Sequence, residues 1–201
     1  MILVLAAVLS LGSLPQVTNI DAVVRQLPSL QAVAGSLGGG HVQIQIIVDP
    51  TGKPLLCRVV ASSGWPSLDL VSCQLFMKEA QFQPGRDEEG ESIFGVVRKF
   101  FDYRPPGSRS IYKASTDYTL FVKKIPPAAK DHFSILRVIT DATGKLESCF
   151  VKTSSGVVQL DQLACESIRG NGALLSVLDG KGAPVRAVRV VTVGFASGPA
   201  R

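Results

Sequence analysis

The sequence lacks several features that would assign it to a common function class. Its two histidines, His41 and His132, and the absence of a Cys-x-x-Cys pair leave no set of residues with zinc-ligand spacing. The 21 Lys and Arg residues are scattered through a chain of net charge +5, and no block of like charges concentrates them. Nucleic-acid binding is therefore disfavoured. The triplet Gly38-Gly39-Gly40 precedes a predicted strand rather than a helix, so it is not a phosphate-binding loop.

The N-terminus carries an apolar run at residues 2–9. This run is too short for a membrane-spanning helix, which needs about 20 apolar residues. We predict that residues 1–15 are an export signal peptide or a short N-terminal hydrophobic segment. No Lys or Arg precedes the run, so an uncleaved membrane anchor and an ordinary buried segment stay open as alternatives. Membrane contact is expected only through this segment.

The strongest signal is an internal repeat in which matching residues are 92 positions apart. Residues 57–73 and 149–165 share two cysteines, a Ser-Ser-Gly triplet and a Leu-Asp pair without a gap. At the same offset, Asp49, Gly52, Lys53, Gly90 and Val96 match Asp141, Gly144, Lys145, Gly182 and Val188. Matches in one register over this length indicate a duplicated module.

Each copy is predicted to form a strand, a turn, a strand, a helix and a strand. Residues 42–48 alternate in the manner of a half-buried strand, and Asp49-Pro50-Thr51-Gly52-Lys53 is typical of a turn. Residues 55–61 then return, a helix begins near Pro66, and residues 93–103 form the last strand. The second copy is predicted to have strands at residues 133–140, 149–153 and 185–195, and a shorter helix ending near Gly170.

These elements predict an α+β fold of two tandem small domains. Each is expected to be a β-β-α-β unit with a three-stranded antiparallel sheet packed on a helix. The first domain spans residues 39–104 and the second, more divergent one spans residues 131–197. Residues 16–38 are predicted to be a helical lead-in broken at Pro28. Residues 105–130 are predicted to be a linker that could add a short strand at residues 118–123.

The four cysteines occupy equivalent places in the two copies: Cys57 and Cys73 in the first, Cys149 and Cys165 in the second. An even number of cysteines in an exported chain indicates disulfide bonds. Four cysteines allow three connectivities, and the repeat favours Cys57–Cys73 and Cys149–Cys165. Free buried thiols and a metal or redox site are the alternatives.

The shared Ser-Ser-Gly and Asp residues are predicted to build a turn and a helix cap. They are Ser62, Ser63, Gly64 and Asp69 in the first copy, and Ser154, Ser155, Gly156 and Asp161 in the second. A catalytic triad would need His41, but Phe133 replaces it in the second copy. The glycine instead permits a sharp turn, the hydroxyls satisfy backbone donors, and the carboxylate suits a helix N-terminus. We therefore expect no enzymatic activity and no cofactor.

The ordered motifs resemble the C-terminal domain of the TonB energy-transducer family. The motifs are Asp49 with Gly52, Ser62-Ser63-Gly64, Leu68-Asp69, Phe82-Gln83-Pro84, and Gly90 before the last strand. The resemblance covers residues 40–103 and, more weakly, residues 133–197. The second copy has Leu174-Leu175-Ser176 in place of the aromatic-x-Pro motif.

The resemblance implies a periplasmic protein, exported and either free or held at the inner membrane. It implies a function in TonB-dependent transport, in which the domain binds an extended segment of an outer-membrane transporter by strand addition. The docking edges would be the last strands of the two copies: Val96, Val97, Arg98, Lys99, Phe100 and Phe101, and Val188, Arg189, Val190 and Val191. The alternative is a structural protein of the cell envelope that binds peptidoglycan and keeps the fold without energy coupling.

Overall fold

The structure, a computed structural model, describes residues 12–24, 40–103, 116–170 and 176–198. The apolar run at residues 2–9, the predicted break at Pro28, the Gly38-Gly39 pair and the first part of the linker lie outside these residues. Within the described ranges, no helix combines the length and the apolar character needed to cross a membrane.

The first copy follows the predicted order of elements. Strand β1 (Gln16–Val17) and helix α1 (Ile20–Val24) precede it. The copy itself consists of β2 (His41–Val48), β3 (Pro54–Ala61), α2 (Pro66–Glu79), β4 (Phe82–Gln83), β5 (Gly85–Arg86) and β6 (Ser92–Asp102). The N-terminal segment lies alongside it, because β1 pairs with β4 and Ser13 pairs with Arg86.

The second copy repeats this plan after one added strand. Strand β7 (Tyr118–Val122) forms where the linker was predicted to add one. It is followed by β8 (Phe133–Thr140), β9 (Leu146–Thr153), α3 (Val158–Gly170), β10 (Val177–Leu178), β11 (Pro184–Val185) and β12 (Ala187–Ser197). Helix α3 is one residue shorter than α2 (13 against 14 residues).

One continuous sheet runs through both copies. Its strand order is β3-β2-β6-β12-β8-β9, with β5 beside β6 and β7 beside β12. The strands within each copy are antiparallel, whereas β6 and β12 are parallel and pair at only two positions, Phe94 with Ala187 and Gly95 with Val188. The α+β class is therefore confirmed, and the two copies are joined edge to edge through their last strands.

The two main helices cover opposite faces of this sheet. Side chains alternate between the two faces of a strand, and those of paired residues point the same way. Val97 packs in the core under α2, so Phe94 lies on the other face. Its partner Ala187 lies on the same face of β12 as Val191 and Val193, because these residues are an even number of positions apart. Val191 and Val193 pack under α3. The face opposite α2 is thus the face that carries α3.

Each copy also covers the helix-free face of the other. Ile47 and Val96 of the first copy pack against Val177 and Ala187 of the second. Reciprocally, Ile139 and Val188 of the second copy pack against Ile93 and the N-terminal Leu14. Burying these side chains favours association of the two copies by about 25 cal/mol for each Å² of apolar surface removed from water.

An ion pair also crosses between the copies. Arg186 Nη1 lies 2.5 Å from Asp87 Oδ2, and Arg186 Nε lies 2.6 Å from Glu147 Oε2. Asp87 is buried, with 3% of its surface exposed. Burial raises the pKa of Asp87, but the hydrogen bond from Arg186 and the amide of Glu91 outweigh this effect, so the pKa lies below its ordinary value.

Both predicted disulfides are confirmed. Cys57 is bonded to Cys73 and Cys149 to Cys165, each across 16 positions, with Cα–Cα distances of 5.6 and 6.0 Å. These distances lie within the usual range of roughly 4.4–6.8 Å. Each bond fastens the second strand of a copy to the helix that follows, on opposite faces of the sheet.

We predict that the paired replacement Cys57→Ala/Cys73→Ala lowers the free energy of unfolding by about 3 kcal/mol, because it restores the unfolded-state freedom of a short loop. The Cys149→Ala/Cys165→Ala protein should lose a similar amount, since its loop has equal length. Urea unfolding followed by circular dichroism measures both. Loss of less than about 1 kcal/mol in either double variant would contradict a stabilising role for that disulfide.

Candidate partner-binding edge

The two predicted docking strands, β6 and β12, face each other inside the sheet. On one side, β6 is paired with β2 from Gly95, opposite Val48, to Asp102, opposite His41. On its other side it meets β12 at Phe94 and Gly95, and β5 at Ser92 and Ile93. Beyond Gly95, the described part of the chain places no strand on that side of Val96, Val97, Arg98 and Lys99.

Strand β12 is an interior strand. It pairs with β8 from Ala187 to Gly194, and β6 and β7 take the two ends of its other side. Val188 accordingly has a partner in both β8 and β6. On the side away from β8, Arg189, Val190 and Val191 have no strand partner in the described part of the chain. The expectation that Val188, Arg189, Val190 and Val191 form a second docking edge therefore stays a prediction, with Val188 already paired to β6.

We call the space that opens between β6 and β12 after Gly95 the wedge, bounded by residues 96–99 and 189–192. Asp117 bridges it. The Asp117 carboxylate receives a bidentate pair of hydrogen bonds from Arg98 of β6, one of them 2.9 Å long. It also accepts the amide of Thr192 at 2.8 Å, and the Asp117 amide donates to the Thr192 carbonyl. A single residue therefore ties both walls of the wedge together.

Two cationic side chains from β6 border the wedge. Arg98 and Asp117 are both mostly buried, a setting in which a bidentate pair is stronger than at the surface. The neighbouring Lys99 is half-buried, and burial lowers the pKa of its ammonium group. Side-chain alternation directs Arg98 to the α3 face and Lys99 to the α2 face.

The outer edges of the sheet are β3 and β9. Strand β3 presents the exposed apolar side chains Leu56, Val59 and Val60, and β9 presents Val151. The pairing of β3 with β2 shifts register at two points, and that of β9 with β8 does the same. Such irregularities bend an edge strand and make it a poorer template for another strand.

The Ser-Ser-Gly segments form hydrogen-bonded turns closed by the following Asp. In the first copy, Asp69 accepts Ser62 Oγ at 2.6 Å and Ser63 N at 2.8 Å. The serine hydroxyls in turn accept the amides of Gly64 and Trp65. Gly64 has φ +87°, a conformation that glycine adopts without steric cost. The two serine side chains and Asp69 are therefore engaged in hydrogen bonds that fix the turn leading into α2.

The second copy repeats this turn around Asp161. Asp161 accepts Ser154 Oγ at 2.5 Å and Ser155 N at 2.9 Å, and it also accepts Ser134 Oγ from β8 at 2.6 Å. Gly156 has φ +89°. Burial raises the pKa of Asp161, but its hydroxyl and amide donors outweigh burial, and the pKa lies below its ordinary value.

Asp117 was not singled out by the sequence, because it lies in the predicted linker and belongs to neither copy. Its only sequence signal is its position directly before the short predicted strand at residues 118–123. Among the described residues, no three His, Cys, Asp or Glu side chains converge as metal ligands would.

We predict that Asp161→Asn destabilises the protein by about 1–3 kcal/mol at neutral pH, because buried donors lose a charged acceptor. A carboxyl whose pKa is lowered by folding stabilises the protein above its unfolded pKa and loses that contribution as pH falls. The free energy of unfolding of the parent should therefore fall as pH drops below about 3.8. That of Asp161→Asn should fall less over the same pH range. Urea midpoints at several pH values, with the exposed Asp131→Asn as control, test this. An equal pH slope in the parent and Asp161→Asn would contradict it.

Comparison with known proteins finds a family model that matches the first copy. Residues 37–104, which are 68 of the 201 residues, match the family model for the C-terminal domain of the Gram-negative bacterial TonB protein. No curated protein and no solved structure matches the chain. The domain of this family is a non-enzymatic interaction domain for outer-membrane transporters, and its members are periplasmic or associated with the inner membrane. The segment that holds β2, β3, α2 and β6 is therefore similar to the TonB C-terminal domain family.

Proposed function

We propose that this chain is a TonB-like periplasmic protein that binds an extended segment of an outer-membrane transporter by adding it as a strand to β6. The observation that carries the proposal is the one-sided pairing of β6. Within the family-matched segment, β6 pairs with β2 from Gly95 to Asp102, but no strand lies on the other side of residues 96–99 in the described part of the chain.

Strand addition suits this edge because its backbone offers affinity without sequence specificity. An incoming segment would exchange main-chain hydrogen bonds with residues 96–99, while alternate side chains would contact the two faces of the sheet. On one face it would meet Val96 and Arg98, and on the other Val97 and Lys99. The two cations favour a segment that carries an acidic residue.

Asp117 limits access to the edge. An incoming strand must occupy the wedge that Asp117 bridges, so it competes with the Arg98–Asp117 pair and the Asp117–Thr192 backbone contact. Part of the binding free energy would be spent on opening the wedge. Binding would then be weaker than the edge alone allows, and it would depend on how firmly Asp117 is held.

The direct test is an NMR titration of the ¹⁵N-labelled full chain with synthetic peptides from the N-terminal segments of outer-membrane transporters. We expect saturable shifts at the amides of Val96, Val97, Arg98 and Lys99. A peptide with Pro at every second position is the control, because Pro lacks the amide donor of a strand. Shifts confined to β3 or β9 would overturn the assignment to β6. No shift with any such peptide, or binding to peptidoglycan instead in a cosedimentation assay, would overturn the function.

A second prediction concerns the bridge across the wedge. Asp117→Ala should raise the affinity for a binding peptide by about tenfold, equivalent to about 1.4 kcal/mol, because it removes the contacts that the peptide must displace. Asp131→Ala removes an exposed carboxylate from the same stretch of chain and should leave affinity unchanged. Isothermal titration calorimetry measures both. If Asp117→Ala stays folded and binds no more tightly than the parent, the Asp117 contacts do not limit access of a peptide to β6.

A further inference from the structure

A small cavity lies between the two copies, on the face of the sheet opposite α2. It has a volume of about 130 Å³. Its floor is built from β2, β3, β6 and β12, and β10 of the second copy lies over it. Its lining residues are Gln45, Ile47, Leu56, Arg58, Val96, Ser176, Val177, Leu178 and Arg189. One water needs only about 10–15 Å³, so the cavity has room for a molecule of several heavy atoms.

A buried cation without a full set of partners lines this cavity. Arg189 has only 7% of its surface exposed, and its Nε has no hydrogen-bond partner in the part of the chain that the structure describes. A buried guanidinium donor without an acceptor lowers the stability of the fold, because its hydrogen bond to water is lost and no protein hydrogen bond replaces it. Asp117, the nearby carboxylate, is already engaged by Arg98 and the Thr192 amide.

The surroundings add further positive charge. Arg58 lines the same cavity and donates through Nε to Gln45 Oε1 at 2.7 Å. Burial lowers the pKa of Arg189, and the positive charges of Arg98 and Arg58 lower it further, whereas Asp117 and Tyr118 act in the opposite direction. Two guanidinium groups, those of Arg189 and Arg58, thus line this cavity.

The cavity at the equivalent positions of the second copy also holds an arginine, Arg137, whose Nε has no hydrogen-bond partner in the described part of the chain. Arg137 and Phe150 stand 92 positions after Gln45 and Arg58 and line a cavity of about 470 Å³. There the Arg137 guanidinium lies 4.6 Å from the Phe150 ring centroid, and its Nη1 donates to the Gly12 carbonyl at 2.7 Å. In the first-copy cavity, a second cation, Arg58, stands in place of that aromatic ring.

We propose that the cavity between β10 and the first-copy sheet binds a small aliphatic carboxylate, held by Arg189 and Arg58 and oriented by Gln45. A carboxylate matches the guanidinium donors in charge and geometry. The apolar walls formed by Ile47, Val96 and Val177 suit a short alkyl group and disfavour a fully hydrated inorganic anion. The carboxylate could belong to a free small molecule or to an acidic side chain of a peptide.

The probe is sodium propionate, titrated into the ¹⁵N-labelled full chain against sodium chloride and sodium phosphate at constant ionic strength. We expect saturable shifts of the Arg189 Nε–H signal and of the Val177 amide with propionate. Arg58→Gln should weaken binding by about tenfold, because it removes one charged donor. Arg169→Gln removes an exposed arginine on α3 and should leave the affinity unchanged.

A second experiment distinguishes a free small molecule from an acidic side chain as the source of the carboxylate. A short peptide with one Glu, compared with its Gln counterpart, should bind through the same signals if an acidic side chain is the ligand, whereas binding of propionate alone indicates a free small molecule. The proposal is overturned if neither probe gives saturable shifts, if phosphate or chloride competes equally, or if Arg58→Gln binds like the parent. Carboxylate binding in this cavity does not require strand addition to β6. A negative result with propionate and the Glu peptide therefore leaves the proposed strand addition untouched, and a negative peptide titration at β6 leaves the carboxylate site untouched.

Discussion

Two paired positions hold the halves of this molecule in one sheet: Phe94 beside Ala187 and Gly95 beside Val188. Because the strands that meet there are parallel, the two helices are placed on opposite faces, and each copy presents its helix-free face to elements of the other. The apolar contacts of Ile47 with Val177 and of Ile139 with Ile93 depend on that placement. The wedge depends on it as well, because β6 and β12 pair only where they begin.

Equivalent surfaces of the two copies differ in their side-chain chemistry. Gln45 matches Arg137 in position, and Arg58 matches Phe150. In the first copy, Gln45 and Arg58 line a small cavity that also holds the Arg189 guanidinium. In the second copy, the Arg137 guanidinium stacks on the Phe150 ring. The two copies share one order of elements, and the side chains on the faces between them differ in chemistry. The family match, which covers the first copy alone, is consistent with this divergence.

Local structure could be predicted from the sequence because its causes are local. Alternating apolar residues, turn glycines and the repeated cysteines predicted the hairpins, the helices and both disulfides. The contact between β6 and β12 has no such signature, since both strands show the pattern of any half-buried strand and nothing near them in sequence says what lies beside them. Arg189 stands where the first copy has Val97, and only the packed structure reveals that this cation is buried. The importance of Asp117 was equally hidden, because it belongs to neither copy.

The short contact between β6 and β12 also has a consequence for the order of folding. Each hairpin joins residues close in sequence, whereas Phe94 and Ala187 are separated by most of the second copy. Loop closure makes such distant pairings slow to form, so we expect the two units to fold first and dock last. A contact made last by few residues is also among the first to open in native-state fluctuations. The least protected amides of the sheet interior should then be those of the wedge, where a partner strand would have to enter.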